Sequence, residues 1–421
     1  MASTTDPGRR VRRLLLALLM IAPGAFAAIP TSERNALLAF YTSTNGGTWT
    51  HRDNWNGAVG TECTWYGVSC IGDHVVAINE YANNLTGTLP SLAALPQLQA
   101  LQLANDLIGG DLPADLSTLT QLHYFIVDNN NFTGSLPSIA SWSGLLQFQA
   151  SNNLLSGPLP NPSGLQNLTT YSVGGNFLSG PVPALINLPK LSILSFDHNK
   201  LTGAFPNLSQ APALISVAGG QNRFTGALPS LAGMPALSGF SADNNQFTGA
   251  LPALPTQIRV FIVSTNQFTG SIPSLAALTQ LNAYDVGDNT LTGNIPSLSA
   301  NTALTYFRVA QNQLSGALPS LSALTSLAYF DAEHNALGGT LPDLSALTSL
   351  KTFEVGDNNF IGPPPTVPNP DTLTPGASSL CPNALTAVSY PAWDAATGVT
   401  PWFAACGQSV DEIFKDGFES P

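Results

Sequence analysis

The sequence predicts a solenoid, an elongated fold in which short parallel strands stack coil upon coil. Three observations lead to this prediction. Asparagine recurs along most of the 421 residues, with a spacing of 23 residues at nearly every step. Each period contains an apolar-polar-apolar alternation, which gives a short strand one buried face. A glycine follows each asparagine by four positions. Self-similarity at a period of 20–50 residues is typical of solenoids.

The recurring asparagines share one local pattern, with an apolar residue two positions later and a glycine four positions later. They are Asn83, Asn130, Asn153, Asn176, Asn199, Asn222, Asn245, Asn266, Asn289, Asn312, Asn335 and Asn358. Asp106 takes the same position in one further period, so the pattern predicts thirteen tandem units. A side-chain amide has two donors and an acceptor, so a column of amides can satisfy backbone groups in a turn inside the coil.

Residues 188–206 show how one unit fills its core. Leu194 and Phe196 alternate with polar neighbours, as expected for a short half-buried strand. The leucines at 188, 191 and 201 must also point inward, because a single coil has no other core in which to bury them.

The pattern L-x-x-L-x-L-x-x-N-x-L-T-G-x-L-P, seen at 281–296 and 304–319, resembles the plant-type leucine-rich repeat. The resemblance covers roughly residues 31–365. It implies a leucine-rich repeat solenoid, an α/β-type horseshoe that is mostly parallel β. In that family the L-x-L segments form a sheet on the concave side and the T-G-x-I-P segments add short strands beside it. Because proline and glycine exclude long helices, we expect short 3₁₀ or irregular segments on the convex side.

Composition and charge narrow the class of protein further. Hydrophobic residues make up 44% of the chain and fall in regular register, which argues against disorder. The formal net charge is −12, and only 9% of residues are charged. Binding to nucleic acid depends on Lys and Arg that neutralise phosphates, so we expect no nucleic-acid partner. Repeats favour one elongated domain over two or three compact ones.

Residues 1–27 have the pattern of a secretory signal peptide. Four arginines between positions 9 and 13 precede an apolar run, and Ala25-Phe26-Ala27 fits an A-x-A cleavage site. The apolar run is shorter than the ~20 residues that a membrane-spanning helix needs. We therefore expect cleavage near Ala27 and a secreted or cell-surface protein with no membrane span in its mature form.

Residues 28–77 are predicted to form an N-terminal cap. Thr31-Ser32-Glu33 offers an N-cap and a first-turn acid for a short helix. The motif C-x-W-x-G-V-x-C at 63–70 resembles the N-terminal cap of plant-type leucine-rich repeats. A Cys63–Cys70 disulfide suits an exported protein with an even cysteine count. A metal site is the alternative, but His74 is the only histidine close in sequence.

Residues 78–365 are predicted to hold the thirteen leucine-rich repeats, with a few irregular positions. Glu80 occupies a position that normally points inward, so we expect it to be partly solvated or paired. Gly219 replaces an apolar strand residue. The ninth repeat is two residues short around 254–258, which we expect to bend or tighten the coil.

The chain after the repeats divides into two predicted parts. The prolines at 363–365 are expected to end the sheet ladder, because proline cannot donate to a further strand. Residues 366–407 are interpreted as a C-terminal cap closed by a Cys381–Cys406 disulfide. Residues 408–421 resemble a short acidic-aromatic tail of exported bacterial proteins, which suggests a bacterial origin.

Catalytic motifs are absent from the sequence. It contains no nucleophile elbow, zinc-binding helix motif, phosphate loop or dinucleotide fingerprint. His198 and His334 share a repeat position, but six strand spacings of ~4.8 Å place them ~29 Å apart. We expect no enzymatic activity and no cofactor.

The candidate ligand-binding residues are those expected to point outward from the last four strands of the predicted sheet. They are Asp285, Asp288, Tyr306, Arg308, Tyr329, Asp331, Glu333, His334, Glu354 and Asp357. Aromatic and charged side chains on a rigid sheet suit the anchoring of a basic protein or peptide segment. The alternative is that Arg308 simply pairs across strands with the flanking aspartates. That alternative leaves several carboxylates without an obvious partner.

The resemblance implies a recognition protein that binds a protein, a peptide or a cell-wall glycan. Two other functions stay open: a structural or adhesive cell-surface protein without a discrete ligand, and an inhibitor of an extracellular hydrolase. The sequence does not define an oligomeric state.

Overall fold

The computed structural model describes residues 28–369 and 371–406. The predicted signal peptide (residues 1–27) and the predicted tail (residues 408–421) lie outside the described residues. Within the described ranges the chain forms a parallel β solenoid of about thirteen turns.

The strands are numbered in chain order. They are β1 (Val68–Ile71), β2 (His74–Asn79), β3 (Ala100–Gln102), β4 (Gly109–Asp111), β5 (Tyr124–Ile126), β6 (Asn131–Thr133), β7 (Gln147–Gln149), β8 (Ser156–Gly157), β9 (Thr170–Ser172), β10 (Phe177–Pro181), β11 (Ile193–Ser195), β12 (Lys200–Gly203), β13 (Ser216–Ala218), β14 (Arg223–Gly226), β15 (Gly239–Ser241), β16 (Gln246–Gly249), β17 (Val260–Ile262), β18 (Gln267–Ser271), β19 (Ala283–Asp285), β20 (Thr290–Gly293), β21 (Tyr306–Arg308), β22 (Gln313–Gly316), β23 (Tyr329–Asp331), β24 (Ala336–Thr340), β25 (Thr352–Glu354), β26 (Asn359–Gly362) and β27 (Ala384–Leu385).

Helices are short and lie mainly at the two ends. They are α1 (Thr31–Ser43), α2 (Pro391–Thr397) and the 3₁₀ helices Gly46–Thr48, Glu62–Thr64, Ala114–Thr118 and Trp402–Cys406. Within the described repeats, the segments between strands are turns, extended chain and one of these 3₁₀ helices. This agrees with the expectation from proline and glycine.

Two main sheets run along the solenoid. The first sheet has 14 strands: β1, β2 and β3, followed by the odd-numbered strands from β5 to β25. The second sheet has 11 strands, the even-numbered strands from β8 to β26 together with β27. A small separate pair, β4 and β6, lies at the N-terminal end. Apart from the antiparallel β1–β2 pair, the strand pairs are parallel.

The predicted asparagine ladder is confirmed. In a representative turn, Asn199 donates from Nδ2 to the carbonyls of Phe196 and Asp197 in its own coil and Val173 in the preceding coil, each at 3.1 Å. Its Oδ1 accepts from the backbone N–H of Leu178 at 2.9 Å. One side chain thus satisfies backbone groups of two coils, which is why the same residue type is needed at each turn.

The side chains between the ladder positions form continuous apolar columns. The middle residue of each first-sheet strand points inward, and six successive rings from Phe240 to Phe353 stack with centroids 5.3–6.0 Å apart. Gly219 leaves room for this core, because a Cβ there would lie 2.7 Å from the ring of Phe205. The ladder also survives the shortened ninth repeat, where Phe247 N–H still donates to Asn266 Oδ1 at 3.0 Å.

Two buried acids interrupt the pattern in the first two coils. Glu80 is fully buried and accepts from Asn83 Nδ2 at 2.6 Å, so the expected partial solvation is wrong and the expected pairing is present. Burial raises the pKa of Glu80 to about 9. Asp106 accepts backbone N–H groups of Asn83 and Leu85 through Oδ1, while its buried Oδ2 has no partner. Burial raises the pKa of Asp106 to about 6.

The N-terminal cap differs from the prediction at the start of its helix. Thr31 is the first helical residue, Pro30 is the N-cap, and the helix has no side-chain cap hydrogen bond. Glu33 is buried and accepts from Val75 N–H at 2.7 Å and pairs with His74 Nδ1 at 2.5 Å. The acid therefore ties α1 to β2, a long-range contact that first-turn sequence rules do not show.

The two disulfides join Cys63 to Cys70 and Cys381 to Cys406. Each lies in a terminal cap with buried tryptophans, including Trp65 at one end and Trp393 at the other. Such caps cover core side chains that have no neighbouring coil.

The expectation that the prolines at 363–365 end the sheet ladder is wrong. The strand β27 pairs with β26 beyond them. Asn383 donates from Nδ2 to the carbonyls of Val355 and Leu380 at 2.8 Å and accepts from Phe360 N–H at 2.9 Å. It therefore forms one further rung. The prolines occupy a loop that leads away from the sheet and back, so their missing N–H groups are not needed in it.

Candidate binding surface

The predicted ligand-binding residues lie on and directly after β19, β21, β23 and β25, and we call this set of ten residues the acidic end. Tyr306 and Tyr329 begin their strands, while Asp285, Arg308, Asp331 and Glu354 end theirs. The remaining four residues, Asp288, Glu333, His334 and Asp357, lie in the turns that follow the strands. In total the acidic end carries six carboxylates and one guanidinium.

Arg308 is the centre of a network of charges. Its Nη1 lies 2.8 Å from Asp288 Oδ2 and 3.5 Å from Asp285 Oδ1, and its Nε lies 3.1 Å from Asp331 Oδ2. Burial acts to lower the pKa of Arg308, but the three carboxylates outweigh it and raise that pKa. Arg308 therefore pairs with the aspartates of the two flanking strands, Asp285 and Asp331, as the alternative predicted. It also pairs with a third aspartate, Asp288.

The two tyrosines form a stacked pair on the outer face of the sheet. The rings of Tyr306 and Tyr329 lie 4.6 Å apart with an interplanar angle of 6°, and both side chains are half-buried. Tyr329 donates its hydroxyl to Glu354 Oε2 at 2.7 Å. Burial raises the pKa of Tyr306 to about 12, with the nearby carboxylates adding to the effect. Both phenols are thus neutral donors at physiological pH.

The carboxylates nearest the C-terminal cap are only partly engaged. Asp357 Oδ2 lies 3.1 Å from His334 Nδ1, and both side chains are exposed. Glu354 is half-buried and is held by Tyr329. Glu333 is half-buried beside Gly356, and its backbone N–H donates to Asp331 Oδ1 at 3.1 Å. These three carboxylates have no cationic Lys or Arg partner among the described ion pairs.

Partial burial shapes the electrostatics of the acidic end. Burial raises the pKa values of Asp285, Asp331 and Glu354 above their ordinary value. Hydrogen bonds and the charge of Arg308 act in the opposite direction for all three. A cation placed over this surface would stabilise the ionised forms of these carboxylates.

Several predicted site residues have a structural role as well. The residue just before each ladder position adopts a left-handed backbone, and the set includes Asp288 (φ 53°), His334 (φ 52°) and Asp357 (φ 51°). Asn and Asp tolerate this conformation better than most residues. Their occurrence there is therefore set partly by the turn.

Three residues that support the acidic end were not predicted. Ser264, which is buried, donates to Asp285 Oδ2 at 3.1 Å. Gly287 leaves room for Arg308, because a Cβ there would lie 2.2 Å from Nη1. Ser379, in the C-terminal cap, forms an isolated bridge with Glu354. Of these three residues, only Gly287 has a sequence signal, because it lies two residues after Asp285 at the end of β19. Its role becomes clear only from the position of Arg308 on the neighbouring strand.

Metal-binding clusters and membrane-spanning helices are both absent from the described part of the chain. No group of three or more His, Cys, Asp or Glu side chains there could hold a metal ion. No helix within residues 28–369 and 371–406 is long and apolar enough to cross a membrane.

Comparisons with known proteins place the architecture in a class. Residues 30–71 match a family model described as Leucine rich repeat N-terminal domain. Protein STRUBBELIG-RECEPTOR FAMILY 3 of Arabidopsis thaliana is 33% identical over 86 residues, which are 20% of this chain and 11% of that protein. Receptor-like protein kinase 7 of Arabidopsis thaliana is 32% identical over 125 residues, which are 28% of this chain and 13% of that protein. The chain thus spans about an eighth of these curated relatives.

Solved structures extend the similarity over most of the chain. The crystal structure of PEPR1-AtPEP1 matches with a TM-score of 0.75 and 25% identity, over 85% of this chain and 52% of that one. The Arabidopsis HAESA LRR ectodomain in complex with an IDA peptide hormone matches with a TM-score of 0.65 and 26% identity, over 86% of this chain and 66% of that one. The predicted fold class, a leucine-rich repeat solenoid, is confirmed. These relatives and structures give no support to the expected bacterial origin.

Proposed function

We propose that this chain is an extracellular, non-enzymatic recognition protein that binds a cationic segment of a peptide or protein at the acidic end of the first sheet. One observation carries the proposal. Six carboxylates and a stacked tyrosine pair are gathered on four neighbouring strands of one sheet and the turns that follow them, with a single guanidinium to offset the negative charge. Aromatic anchors beside complementary charge suit recognition of a partner.

The comparisons support a peptide or protein as the partner class. The similar solved structures include receptors described in complex with a peptide hormone. A neutral cell-wall glycan would offer no positive charge to the carboxylates, so the charge of the surface favours a peptide. Two disulfides support an extracellular location, because such bonds persist mainly in oxidising compartments.

Neutralising the partly exposed carboxylates tests the proposal. The triple variant Glu333→Gln, Glu354→Gln and Asp357→Asn removes three negative charges without touching the bonds of Arg308. A fluorescent hexalysine peptide should bind the parent with an affinity that falls as salt rises, and should bind the variant about tenfold or more weakly. Anisotropy titrations at several salt concentrations give both quantities.

A second triple variant separates a local site from overall charge. Asp53→Asn, Asp73→Asn and Asp111→Asn make the same change in net charge at exposed positions in the N-terminal part of the solenoid, away from the acidic end. This control should bind the peptide nearly as well as the parent. Equal losses in both variants, or no binding by the parent, would rule the proposed site out and favour the structural or adhesive alternative.

A further inference from the structure

The first sheet carries exposed aliphatic side chains directly beside the acidic end, and their charged neighbour Arg259 is exposed and donates to Gln280 Oε1 at 2.8 Å. We call this aliphatic set the apolar middle, and it consists of Ile193, Ile215, Val260 and Ile262. Ile193 and Ile215 are 43% and 51% exposed. Val260 and Ile262 are half-buried on β17.

Strand register connects Ile193 to Val260 through two small residues on the strands between them. Ile193 on β11 is paired with Ser216 on β13, and Ser216 with Gly239 on β15. Gly239 is paired in turn with Val260. A Cβ at Gly239 would meet nothing closer than the Ser216 hydroxyl at 3.8 Å, so the surface there is low and open. The isoleucines therefore border a floor of small side chains.

The apolar middle also adjoins the acidic end without a gap. Ile262 is paired with Asp285, and Val260 with Ala283, which is itself paired with Tyr306. The acids that follow the neighbouring strands are already engaged: Asp197 accepts from Ser195, and Asp243 accepts from Ser241 and Asn244. Along the solenoid axis the outer surface thus changes from aliphatic to anionic, and the tyrosine pair lies within the anionic part.

We propose that the partner is an extended segment that crosses the strands, with a short aliphatic block over the apolar middle and a cationic block over the acidic end. The proposal rests on the proposed function and adds the order in which the aliphatic and cationic blocks follow each other in the ligand. With strands ~4.8 Å apart, β11 to β17 spans ~14 Å and β17 to β25 spans ~19 Å. At ~3.3 Å per extended residue, these distances hold about four aliphatic and about six cationic positions.

Three labelled peptides test this order. One has four aliphatic residues followed by six lysines, the second has the same ten residues in an alternating arrangement, and the third is hexalysine. The block peptide should bind about tenfold or more tightly than hexalysine, because it buries the isoleucines. The alternating peptide should lack most of that gain.

Protein variants test whether the apolar middle causes the higher affinity of the block peptide. Ile193→Ser with Ile215→Ser should abolish the advantage of the block peptide and leave hexalysine binding unchanged. Ile361→Ser is a matched control, since Ile361 is 52% exposed but lies on β26 of the second sheet. Circular dichroism of each variant verifies its fold.

The possible results separate the two proposals. The inference is overturned if hexalysine binds but the block and alternating peptides show the same increase in affinity over hexalysine. It is also overturned if the double serine variant keeps the higher affinity for the block peptide. In both cases the proposed function stands. If none of the three peptides binds the parent, both are overturned.

Discussion

The ladder asparagine shows how one residue type can specify a fold. Asn222, for example, donates to the carbonyls of Phe196, Gly219 and Gly220 and accepts from Leu201 N–H. Buried backbone groups without partners are costly, so a side chain with both donors and an acceptor is required at this point. Asp106 has the acceptor but lacks the donors unless its carboxyl is protonated.

The pH dependence of stability should reveal this difference. A carboxyl whose pKa is higher in the folded than in the unfolded state binds more protons when folded, so stability falls as pH rises between the two values. For Asp106 that window runs from the ordinary value of 3.8 to about 6. For Glu80 it extends from 4.5 to about 9. Stability should therefore decrease from pH 4 upward.

The Asp106→Asn variant should supply the side-chain donors that Asp106 lacks. It should also remove the part of the pH-dependent loss of stability that comes from Asp106. Its Nδ2 would face the carbonyls of Leu103 and Ala104, as the other rungs do in their own coils. We expect the variant to be about 2 kcal/mol more stable than the parent at pH 7.5 and nearly equal at pH 4. Urea unfolding at both pH values measures this. A variant that is less stable at pH 7.5 would contradict the role assigned to the rung.

Residue type and spacing were enough to predict the ladder, but not the turn beside it. The sequence pattern predicts only that Asp288, His334 and Asp357 point outward. Alternation says nothing about φ, and these residues have left-handed backbone. Likewise, the partners of Arg308 can be predicted only when the strands that lie beside β21 are known. Asp288 became its nearest partner only through the turn conformation.

At the scale of elements, the caps are extensions of the repeat rather than separate modules. Asn83, the first rung, accepts from His51 N–H at 2.6 Å and donates to the His51 carbonyl at 2.7 Å. Asn383 repeats the ladder bonds in the C-terminal cap. Its spacing of 25 residues from Asn358 and the intervening prolines break the period of 23, so the sequence pattern does not predict this rung.

Removing the last rung should loosen one end of the molecule only. Asn383→Ala leaves the carbonyls of Val355 and Leu380 and the N–H of Phe360 without these partners, a local cost of about 2 kcal/mol. Because a solenoid coil contacts mainly its neighbours, amide exchange should accelerate in β26 and β27 but not in β11 to β17.

A neighbouring asparagine supplies the control for that measurement. Asn359 is exposed on β26, so Asn359→Ala should leave exchange close to that of the parent. Uniform acceleration along the whole sheet by Asn383→Ala, or none at all, would show that the rung does not hold the cap in this way.

At the scale of the whole molecule, a uniform scaffold carries a non-uniform surface. The ladder and the stacked rings repeat along the solenoid, whereas the outer face of the first sheet changes from aliphatic to acidic toward the C-terminal cap. Repetition fixes inward residues and leaves outward ones free to vary, so the sequence could identify the acidic end as distinctive. The ion pairs within the acidic end and the position of the apolar middle beside it follow only from the register of the strands.

The central claim is that cationic segments bind at the acidic end. The most direct measurement is photo-crosslinking of a hexalysine peptide that carries a diazirine, followed by mass spectrometric mapping of the adducts. We expect adducts concentrated in residues 283–288, 306–311, 329–334 and 352–357, and suppressed by high salt. Adducts spread evenly over both sheets, or concentrated on the second sheet, would contradict the claim.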